Sequence, residues 1–383
     1  MKFAFIIFKY FPYGGVQRDM LRIAMDCRAL GHEVTIYTSD WHGPFVDGLK
    51  VVQLESRGWV NHLKYDRLIK TIQDEIKQSD YDLVVGFNRM PGLDVYFAAD
   101  SCFLERVHQT RPWWYRFTPR FSWFSFMERA IFRAESKTHI LTLTKAEQLV
   151  FQRWYATPSN RFDLIPPFIS ESRFGHCNKL TIEERSRIRI QLRSEFGFNH
   201  DDLVLLLVGS GFKTKGADRA VRSLNALPKK LRNKVKLIIV GQDAARDINK
   251  LIANLKLTSQ VKVIAGRDDI PYLMSASDVL IHPARYELAG HVLLEAMACG
   301  LTVITTDKCG YAPYVKDANA GIVLQSPFVQ EDLNLSLIEV LENDRLSYQN
   351  RAIDFAMRLM KDNPGKAEAN ILREIALLEN IRS

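Results

Sequence analysis

Long hydrophobic runs are missing from this sequence of 383 residues. A membrane-spanning helix needs roughly 20 consecutive apolar residues, and no segment approaches that length. The N-terminal apolar run, residues 3–8, has the length of a strand and ends at Lys9 without a small-residue cleavage site. We therefore predict a first buried strand there rather than a signal peptide.

Cysteine and metal-binding patterns are also scarce. The five cysteines are an odd number without a C-x-x-C pair, which argues against a disulfide framework and a zinc site and favours a reducing cytoplasm. The nine histidines form no closely spaced pair. Asp80 and Asp82 match the D-x-D pattern of metal-dependent sugar transferases, but they precede a strand and so lie opposite the usual ligand edge. We expect no bound metal.

The sequence lacks both a Walker loop and the G-x-G-x-x-G fingerprint of dinucleotide-binding domains. The stretch "YGGVQRD" is its nearest approach to that fingerprint, and Asp40 is a weak substitute for the acidic residue that binds the ribose. A nicotinamide-dependent dehydrogenase is thus an alternative function, but the sequence lacks the motif that such an enzyme usually has.

The net charge is +8, which suggests an anionic partner but does not separate nucleic acid, lipid and sugar phosphate. Because the basic residues form no recognised nucleic-acid motif, we expect no nucleic-acid partner.

Short apolar runs alternate with helix-length segments along the chain, which indicates parallel sheets covered on both faces. The pattern runs twice and is interrupted by a polar, proline-led stretch that begins at residue 166. We predict an α/β protein of two Rossmann-like, doubly wound domains with a cleft between them, at residues 1–168 and 169–363. A C-terminal helix, residues 364–383, could pack back across the domains. The predicted strands are Phe3–Phe8, Val34–Thr38, Leu83–Phe87, Val95–Ala99, His139–Leu143, Phe162–Ile165, Leu203–Val208, Lys236–Val240, Val261–Ile264, Val279–Ile281 and Thr302–Thr305.

The sharpest constellation of polar residues is "HPARYELAGHVLLEAMACG", residues 282–300. Glu287 follows a predicted strand, and a helix is expected to begin near Ala289–Gly290, which aims free backbone N–H groups at the ligand edge. Glu295 lies two turns along and could reach the same ligand, since a carboxylate makes a strong hydrogen bond with a sugar hydroxyl. Two unrelated solvated glutamates are the alternative.

A second constellation is "LLLVGSGFKTKGADRAV", residues 205–221. The strand ends in small residues, which are followed by Lys213 and Lys215, and Gly216 opens a helix. Small residues let a phosphate approach the backbone, and two lysines can neutralise it. Solvated lysines in an ordinary loop are the alternative.

Three residues of the first half could face the same ligands. Gly15 lies between the first strand and the first helix, and Asp19 lies in the first turns of that helix, where a phosphate or an acceptor reaches a doubly wound domain. Asp100 follows a predicted strand and could orient or deprotonate a hydroxyl group. The alternatives are a plain glycine turn, a helix-start aspartate that suits the helix dipole, and a turn aspartate.

Together these stretches resemble retaining glycosyltransferases with the two-domain GT-B fold, and within them the lipopolysaccharide core heptose glucosyltransferases. The resemblance runs over essentially the whole chain, in "FKYFPYGGVQRD", "GHEVTIYT", "VVGFNRMPGLDVYFAAD", "GADRA", "IVGQDAA", "ELAGHVLLEA" and "CGYAPYVKDANAG". The seven residues between Glu287 and Glu295 specify only the broad family, whereas "FNRMPGLDVYFAAD" is much more specific.

The resemblance implies transfer of glucose from UDP-glucose to an inner-core heptose of lipopolysaccharide, with retained anomeric configuration and without a metal or other cofactor. Glu287 would hold the donor sugar, Glu295 the ribose and Lys215 the diphosphate. The further donor-binding positions it implies are Gly15, Lys213, Gly266, Arg267, Ala289 and Gly290, with the loop at Gly266 and Arg267 receiving the uracil. The catalytic candidates are Glu287, Lys215, Asp19 and Asp100, the two aspartates on the acceptor side.

One departure from the family concerns the residues before the diphosphate lysine. Family members usually have an arginine there, whereas this chain has Lys213 and Thr214, and lysine lacks the bidentate fork of arginine. Leu288 and His291 also border the sugar pocket that the resemblance implies. The alternative is therefore a different UDP-hexose, with galactose or N-acetylglucosamine, or another membrane-associated glycan acceptor.

The segment of residues 103–133, called the aromatic segment below, holds ten aromatic residues and six arginines against two glutamates. Thr118 and Pro119 predict a helix from Pro119 to about Glu135. A buried helix is one interpretation, but the implied acceptor sits in a membrane leaflet and favours contact with an anionic membrane surface. A purely structural membrane protein would leave the residues at the strand ends unexplained. The predicted contact residues are Arg111, Trp113, Trp114, Arg116, Arg120 and Trp123, on a protein bound peripherally to the cytoplasmic face of the inner membrane.

Overall fold

The chain forms two compact units. The structure is a computed structural model that describes residues 1–12, 14–56, 61–342, 345–363 and 365–382. The first unit combines Met1–Pro166 with Lys366–Ser383, and the second is Pro167–Gly365. This division lies two residues before the boundary expected after residue 168 and assigns the C-terminal helix to the first unit. Residues 364 and 383 of that predicted helix lie outside the described residues.

A parallel seven-stranded sheet forms the centre of the first unit. Its chain segments are β1 (Lys2–Ile6), β2 (Lys9–Tyr10), α1 (Gly15–Ala29), β3 (Glu33–Thr38), β4 (Asp40–Trp41), β5 (Lys50–Gln53), α2 (Asn61–Lys77), β6 (Leu83–Gly86), β7 (Val95–Ala98), α3 (Phe103–Thr110), α4 (Pro119–Phe132), β8 (His139–Thr142), α5 (Lys145–Tyr155) and β9 (Phe162–Leu164), with 3-10 helices at Trp113–Phe117 and Ser159–Arg161. The strand order is β5-β3-β1-β6-β7-β8-β9, and β2 pairs separately with β4. Ala4 and Ile6 pack with α2 and α4, while Phe3 and Phe5 point to the other face, because strand side chains alternate.

The second unit repeats the pattern with six parallel strands. Its segments are α6 (Glu171–Phe174), α7 (Ile182–Phe196), β10 (Leu203–Val208), α8 (Phe212–Lys215), α9 (Ala217–Ala226), α10 (Lys229–Arg232), β11 (Val235–Val240), α11 (Arg246–Asn254), β12 (Val261–Ile264), α12 (Ile270–Ala276), β13 (Val279–His282), α13 (His291–Ala298), β14 (Thr302–Thr306), α14 (Ala312–Asp317), β15 (Gly321–Leu324), α15 (Gln330–Glu342) and α16 (Arg345–Asp362), with a 3-10 helix at Cys177–Lys179. The order is β12-β11-β10-β13-β14-β15. Leu205 and Leu207 pack with α9, α11 and α15 in the main core cluster.

Helix boundaries follow local sequence signals. Thr118 caps α4 by accepting a hydrogen bond from Phe121 N at 3.2 Å, and Pro119 takes the first helical position, as predicted. The helix ends at Phe132 rather than near Glu135. The last helix, α17 (Ala367–Arg382), packs against α1, where the Glu368 carboxylate lies 2.5 Å from the Arg22 guanidinium.

The predicted α/β architecture of two Rossmann-like parallel sheets is confirmed. Four strands were not indicated by the sequence: the two-residue strands β2 and β4, which pair with each other, and the edge strands β5 and β15, whose residues are partly exposed. All five cysteines are buried free thiols. No helix in the described part of the chain has both the length and the apolar character required to cross a bilayer.

Candidate active site

Glu287 lies at the carboxyl edge of the second sheet, beyond the end of β13. Its backbone is held in both directions, because its N–H donates to Lys308 O at 2.9 Å and its carbonyl accepts from Gly310 N at 3.0 Å. This pairing continues the parallel contact between β13 and β14 past the strands. Ligands of open parallel sheets bind at this edge, so the backbone fixes Glu287 where a ligand would arrive.

The loop of residues 209–216, called the donor loop below, joins β10 to α9 through the short helix α8. Gly211 and Gly216 have φ angles of 78° and 77°, a region that glycine adopts without strain. Gly216 also has no room for a side chain, since an added Cβ would lie 2.1 Å from the Pro283 carbonyl oxygen. This close approach brings Lys215 against the segment that follows β13.

Lys215 and Glu287 form a direct ion pair between Nζ and Oε2 across the two loops. Each side chain is 19% exposed. Burial alone would raise the pKa of Glu287, but His282 and Lys215 together lower it to about 2. Two residues that the sequence predicted as ligands of one donor are therefore adjacent, and the carboxylate is ionised at neutral pH.

Arg285 ties the same two loops together. Its N–H donates to Thr214 O at 2.8 Å, and its guanidinium makes a bidentate pair with Asp218 at 2.7 and 2.8 Å. Bidentate arginine–carboxylate pairs add geometric specificity. Arg285 and Asp218 were not predicted from the sequence, because an ion pair across two loops leaves no local pattern.

His282, the last residue of β13, lies fully buried beside Glu287. Its Nε2 is 3.5 Å from Glu287 Oε2, and among the described residues neither ring nitrogen has a well-formed hydrogen bond. Burial disfavours the charged ring, but interactions with Cys309 and with Glu287 outweigh it and raise the pKa of His282 to about 9. In the sequence, His282 stands out only as a polar residue at the end of an apolar strand, and it was not predicted as a site residue.

Helix α13 begins at His291, close to the predicted start. Gly290 caps it with a φ of 93°, and the buried Ala289 accepts a hydrogen bond from Tyr311 N at 2.7 Å. Glu295 is partly buried on this helix. The start of α13 thus lies close to the Glu287 side chain, since an added Cβ on Gly290 would lie 3.2 Å from Glu287 Cγ.

The other predicted donor residues differ in their surroundings. Lys213 is exposed on α8. Arg267 pairs with Asp269 at 2.6 and 2.7 Å and with Glu195, and these carboxylates raise its pKa. Its guanidinium is therefore occupied by protein partners. Gly266 packs against Gln242, with 3.1 Å from an added Cβ to the Gln242 amide nitrogen.

Gly15, Asp19 and Asp100 all follow strands of the first unit. Gly15 is the exposed first residue of α1, and Asp19 lies one turn on, with its carboxylate 4.0 Å from the Arg22 guanidinium. Asp100 is exposed just beyond β7, and Arg89 donates to its carbonyl oxygen at 2.9 Å. These three positions share the carboxyl edge of the first sheet.

The turn that bears Asp100 is fixed by a buried carboxylate. Glu128 of α4 is fully buried and lies 2.6 Å from the Arg89 guanidinium. The same carboxylate accepts from the first N–H groups of α3, Phe103 N at 2.6 Å and Leu104 N at 3.2 Å. Glu128 therefore fixes both Arg89, which holds the turn at Asp100, and the start of α3, which follows that turn.

The aromatic segment exposes most of the predicted contact residues. Trp113, Trp114 and Phe117 are 75%, 56% and 79% exposed on a 3-10 helix. Three predicted arginines of this segment are also exposed: Arg111, Arg116 and Arg120. Trp123 differs, because it is partly buried and its ring packs against Tyr65 at 6.4 Å and Phe124 at 4.9 Å. Its face is thus occupied by the protein core rather than free for a membrane.

The D-x-D stretch has a structural role at the opposite edge of the first sheet, where the Asp82 carboxylate accepts from Lys2 N at 2.7 Å. Within the described ranges, no three or more His, Cys, Asp or Glu residues are grouped as metal ligands would be.

Two family models match the chain, "Glycosyl transferases group 1" over residues 188–357 and "Glycosyltransferase Family 4" over residues 13–173. The chain is also 41% identical to the lipopolysaccharide glucosyltransferase WaaG of Escherichia coli (strain K12) over 343 residues, which cover 90% of both chains. The chain belongs to the lipopolysaccharide glucosyltransferase family. The prediction that the protein is a glycosyltransferase is thus confirmed, and the alternative of a dehydrogenase is wrong.

Comparison with solved structures shows that this member of the lipopolysaccharide glucosyltransferase family has the expected GT-B fold. The crystal structure of WaaG, a glycosyltransferase involved in lipopolysaccharide biosynthesis, matches with a TM-score of 0.88 at 38% identity over 98% of both chains. Anabaena Alr3699/HepE, solved in complex with UDP-glucose, matches with a TM-score of 0.74 at 19% identity over 99% of both chains, a likeness of fold alone. The protein is a glycosyltransferase of lipopolysaccharide core biosynthesis.

Proposed function

We propose that this glycosyltransferase moves glucose from UDP-glucose to an inner-core heptose of lipopolysaccharide and retains the anomeric configuration. The observation that carries the proposal is the Lys215–Glu287 pair at the carboxyl edge of the second sheet. A cation for a diphosphate and a carboxylate for sugar hydroxyls stand side by side there, as a nucleotide sugar requires. The name of the E. coli relative, a glucosyltransferase, supports the same donor sugar.

The donor would bind along the second unit. Lys215 and Lys213 would neutralise the diphosphate, and the first N–H groups of α13 would add fixed dipoles. Glu287 would accept hydrogen bonds from the glucose hydroxyls, and Glu295 from the ribose. The backbone at Gly266 and Arg267 would receive the uracil, which fits a guanidinium already paired with Asp269 and Glu195.

The chemical step breaks the bond between the glucose anomeric carbon and the diphosphate oxygen. The acceptor hydroxyl attacks from the same face, and its proton passes to the departing phosphate oxygen, so no protein nucleophile is needed. Lys215 stabilises the charge that develops on that oxygen. From the first unit, Gly15, Asp19 and Asp100 would orient the acceptor. Gly15 and Asp100 are exposed, and the Asp19 side chain keeps 20% exposure.

Product analysis tests the donor and the acceptor together. The protein is incubated with UDP-glucose, UDP-galactose or UDP-N-acetylglucosamine and lipopolysaccharide truncated at the heptose region, and the products are weighed by mass spectrometry. We expect a gain of one hexose with UDP-glucose only, and an α linkage by NMR. Transfer of another sugar, or transfer only to a different glycan, would replace the proposed substrate.

Variants test the two central residues. Lys215→Ala and Glu287→Ala should each reduce kcat by about 100-fold or more, because the first removes the cation that stabilises the leaving phosphate and the second removes the carboxylate that holds the donor sugar. Lys229→Ala changes an exposed lysine of the same unit and serves as the control. Near-normal turnover in either site variant would refute the assignment.

A metal is not required in this proposal, since the lysines and the α13 amides can stabilise the leaving diphosphate. We expect full activity after exhaustive treatment with EDTA. Loss of activity that Mg²⁺ or Mn²⁺ restores would contradict this part of the proposal.

We also propose that the aromatic segment rests on the anionic cytoplasmic surface of the inner membrane. Exposed Trp113, Trp114 and Phe117 next to three exposed arginines suit the headgroup region, where aromatic rings and guanidinium groups both find partners. Each arginine near such a surface contributes about 1 kcal/mol.

Vesicle co-sedimentation tests this contact. Changing Arg111, Arg116 and Arg120 to Glu should weaken binding to anionic vesicles by about 100-fold or more, because about 3 kcal/mol of attraction is lost and repulsion is added. The matched control changes Arg187, Arg222 and Arg358, exposed arginines of the second unit, to Glu with the same change in net charge. Equal weakening in both triple variants would show a net-charge effect and refute the proposed surface.

A further inference from the structure

His282 has no role in the chemistry described so far, although it touches the centre of the site. It is fully buried at the end of β13, with Nε2 3.5 Å from Glu287 Oε2. Neither ring nitrogen has a well-formed hydrogen-bond partner within the described part of the chain. A buried polar group without such partners is costly, and its presence therefore calls for an explanation.

Two hydrogen bonds hold the backbone of His282 in place. The His282 carbonyl accepts from Thr305 Oγ1 at 3.1 Å and from Ala284 N at 2.8 Å. The titratable groups that face the ring are the Glu287 carboxylate and the Cys309 thiol, and Lys215 reaches the same Glu287 oxygen from the donor loop. Glu287 Oε2 thus lies between two cationic groups, one on a strand and one on a loop.

These two cations differ in their freedom to move. The Lys215 ammonium is carried on a flexible four-carbon stem and is 19% exposed, whereas the His282 ring is sealed inside the second unit. If Lys215 binds the diphosphate, as the proposed function requires, its ammonium must turn away from Glu287. A carboxylate left without a counter-charge in such a buried place would take up a proton.

We propose that His282 is a positioning residue: as a buried imidazolium it keeps Glu287 ionised and oriented toward the donor sugar while Lys215 turns from Glu287 to the diphosphate. The inference rests on the proposed function, because it requires a nucleotide-sugar diphosphate at Lys215. In this arrangement Lys215 has two alternative partners, the Glu287 carboxylate and the donor diphosphate. Because His282 remains beside Glu287, Lys215 can change partner without Glu287 taking up a proton.

Proton uptake on UDP binding measures this directly. UDP carries the diphosphate but lacks the hexose of the donor, so it should draw Lys215 away without contacting Glu287. Isothermal titration calorimetry in buffers of different ionisation enthalpy should find no proton uptake for the wild-type protein at pH 7. In His282→Gln, Glu287 loses its remaining cation, and we expect proton uptake that grows as the pH is lowered from 8 to 6. His200→Gln, an exposed histidine of the same unit, should behave like the wild type.

Steady-state kinetics provides the second readout. We expect kcat/KM for UDP-glucose to fall by about 10- to 100-fold in His282→Gln, which corresponds to a loss of about 1.4 to 2.7 kcal/mol of transition-state stabilisation when Glu287 is no longer held ionised and oriented. A merely structural role would lower the melting temperature without changing the protons exchanged on UDP binding. Wild-type proton exchange together with wild-type kcat/KM in His282→Gln would overturn the inference. If the wild-type protein does not bind UDP at all, the proposed donor fails, and the inference fails with it.

Nitrogen-15 NMR of histidine-labelled wild-type protein answers the same question without a variant that has to fold. At pH 8, one of the nine imidazoles should still carry protons on both ring nitrogens, with or without UDP. Nine neutral rings at that pH would overturn the inference.

Discussion

Replacing Glu128 with glutamine should destabilise the first unit strongly. The substitution keeps the shape of the side chain but leaves the Arg89 guanidinium without the carboxylate that lies 2.6 Å away. Removing one partner of a buried ion pair costs about 3 to 5 kcal/mol, and we expect the lower end, about 3 kcal/mol, because the Arg89 side chain keeps 12% exposure. For a unit of this size, each kcal/mol lowers the melting temperature by about 2 to 4 °C. The expected decrease is therefore roughly 6 to 12 °C.

Tryptophan fluorescence follows this unit selectively, because all six tryptophans precede residue 155 and so belong to the first unit. Glu135→Gln, an exposed glutamate just after α4, is the matched control and should melt within about 1 °C of the wild type. The double variant Glu128→Gln/Arg89→Met should lose less stability than the sum of the two single changes, since no charge is left unpaired. A Glu128→Gln protein that melts within about 2 °C of the wild type would refute the argument.

Three further predictions concern the second unit. Gly216→Ala should lower its unfolding free energy by about 1 to 3 kcal/mol and weaken UDP binding in calorimetry, because the new Cβ meets the Pro283 carbonyl; unchanged affinity would contradict this. Asp278→Asn leaves the buried Arg193 guanidinium without its carboxylate partner and should cost about 3 kcal/mol in calorimetric unfolding; an unchanged unfolding free energy would contradict this. The folded-state pKa of His282 is about 9, above the ordinary 6.5, so its stabilisation is complete below pH 6.5 and is lost as the pH rises through 9. At about 1.4 kcal/mol per pH unit, the wild-type protein should lose on the order of 3 kcal/mol of unfolding free energy through His282 between pH 6 and pH 10. Urea unfolding of His282→Gln at the same two pH values should not show that loss.

Most of the strands that the sequence predicted are largely buried, although the predicted edge strands β9 and β12 are partly exposed. β10 reads "LVLLLV" and lies inside its sheet, so that both side-chain faces are apolar. β5 and β15 were missed because their runs "KVVQ" and "GIVL" are short, contain polar residues or glycine, and are partly exposed. Their existence depends on the sheet that they extend, which the local pattern does not contain.

The candidate site was predictable where a local pattern carried it. Glycines before a helix pointed to Lys215, and a strand followed by a glycine and a helix pointed to Glu287. The contact between them depends on Gly216 lying against Pro283, and the surroundings of His282 depend on the pairing of Glu287 with Cys309 beyond the ends of β13 and β14. Both are long-range packing events without a sequence signature.

Trp123 marks the same limit in the first unit. Apolar residues of α4 point in nearly every direction, so the pattern did not show which of them face the core. The structure turns Trp123 toward Tyr65 and leaves Trp113 and Trp114 outside. The prediction that the other contact residues meet a membrane stays open to the vesicle experiment.

The assembly of the first unit from two distant parts of the chain has a consequence for protein synthesis. Arg22 of α1 pairs with Glu368 of α17, and residues 167–365, which form the whole second unit, are made between them. At about 5 to 20 residues per second, translation of that stretch takes roughly 10 to 40 s. Domains usually mature in the order in which they are translated. Here the domain that is begun first must wait with one face of α1 uncovered, and it is completed after the domain that holds Lys215 and Glu287.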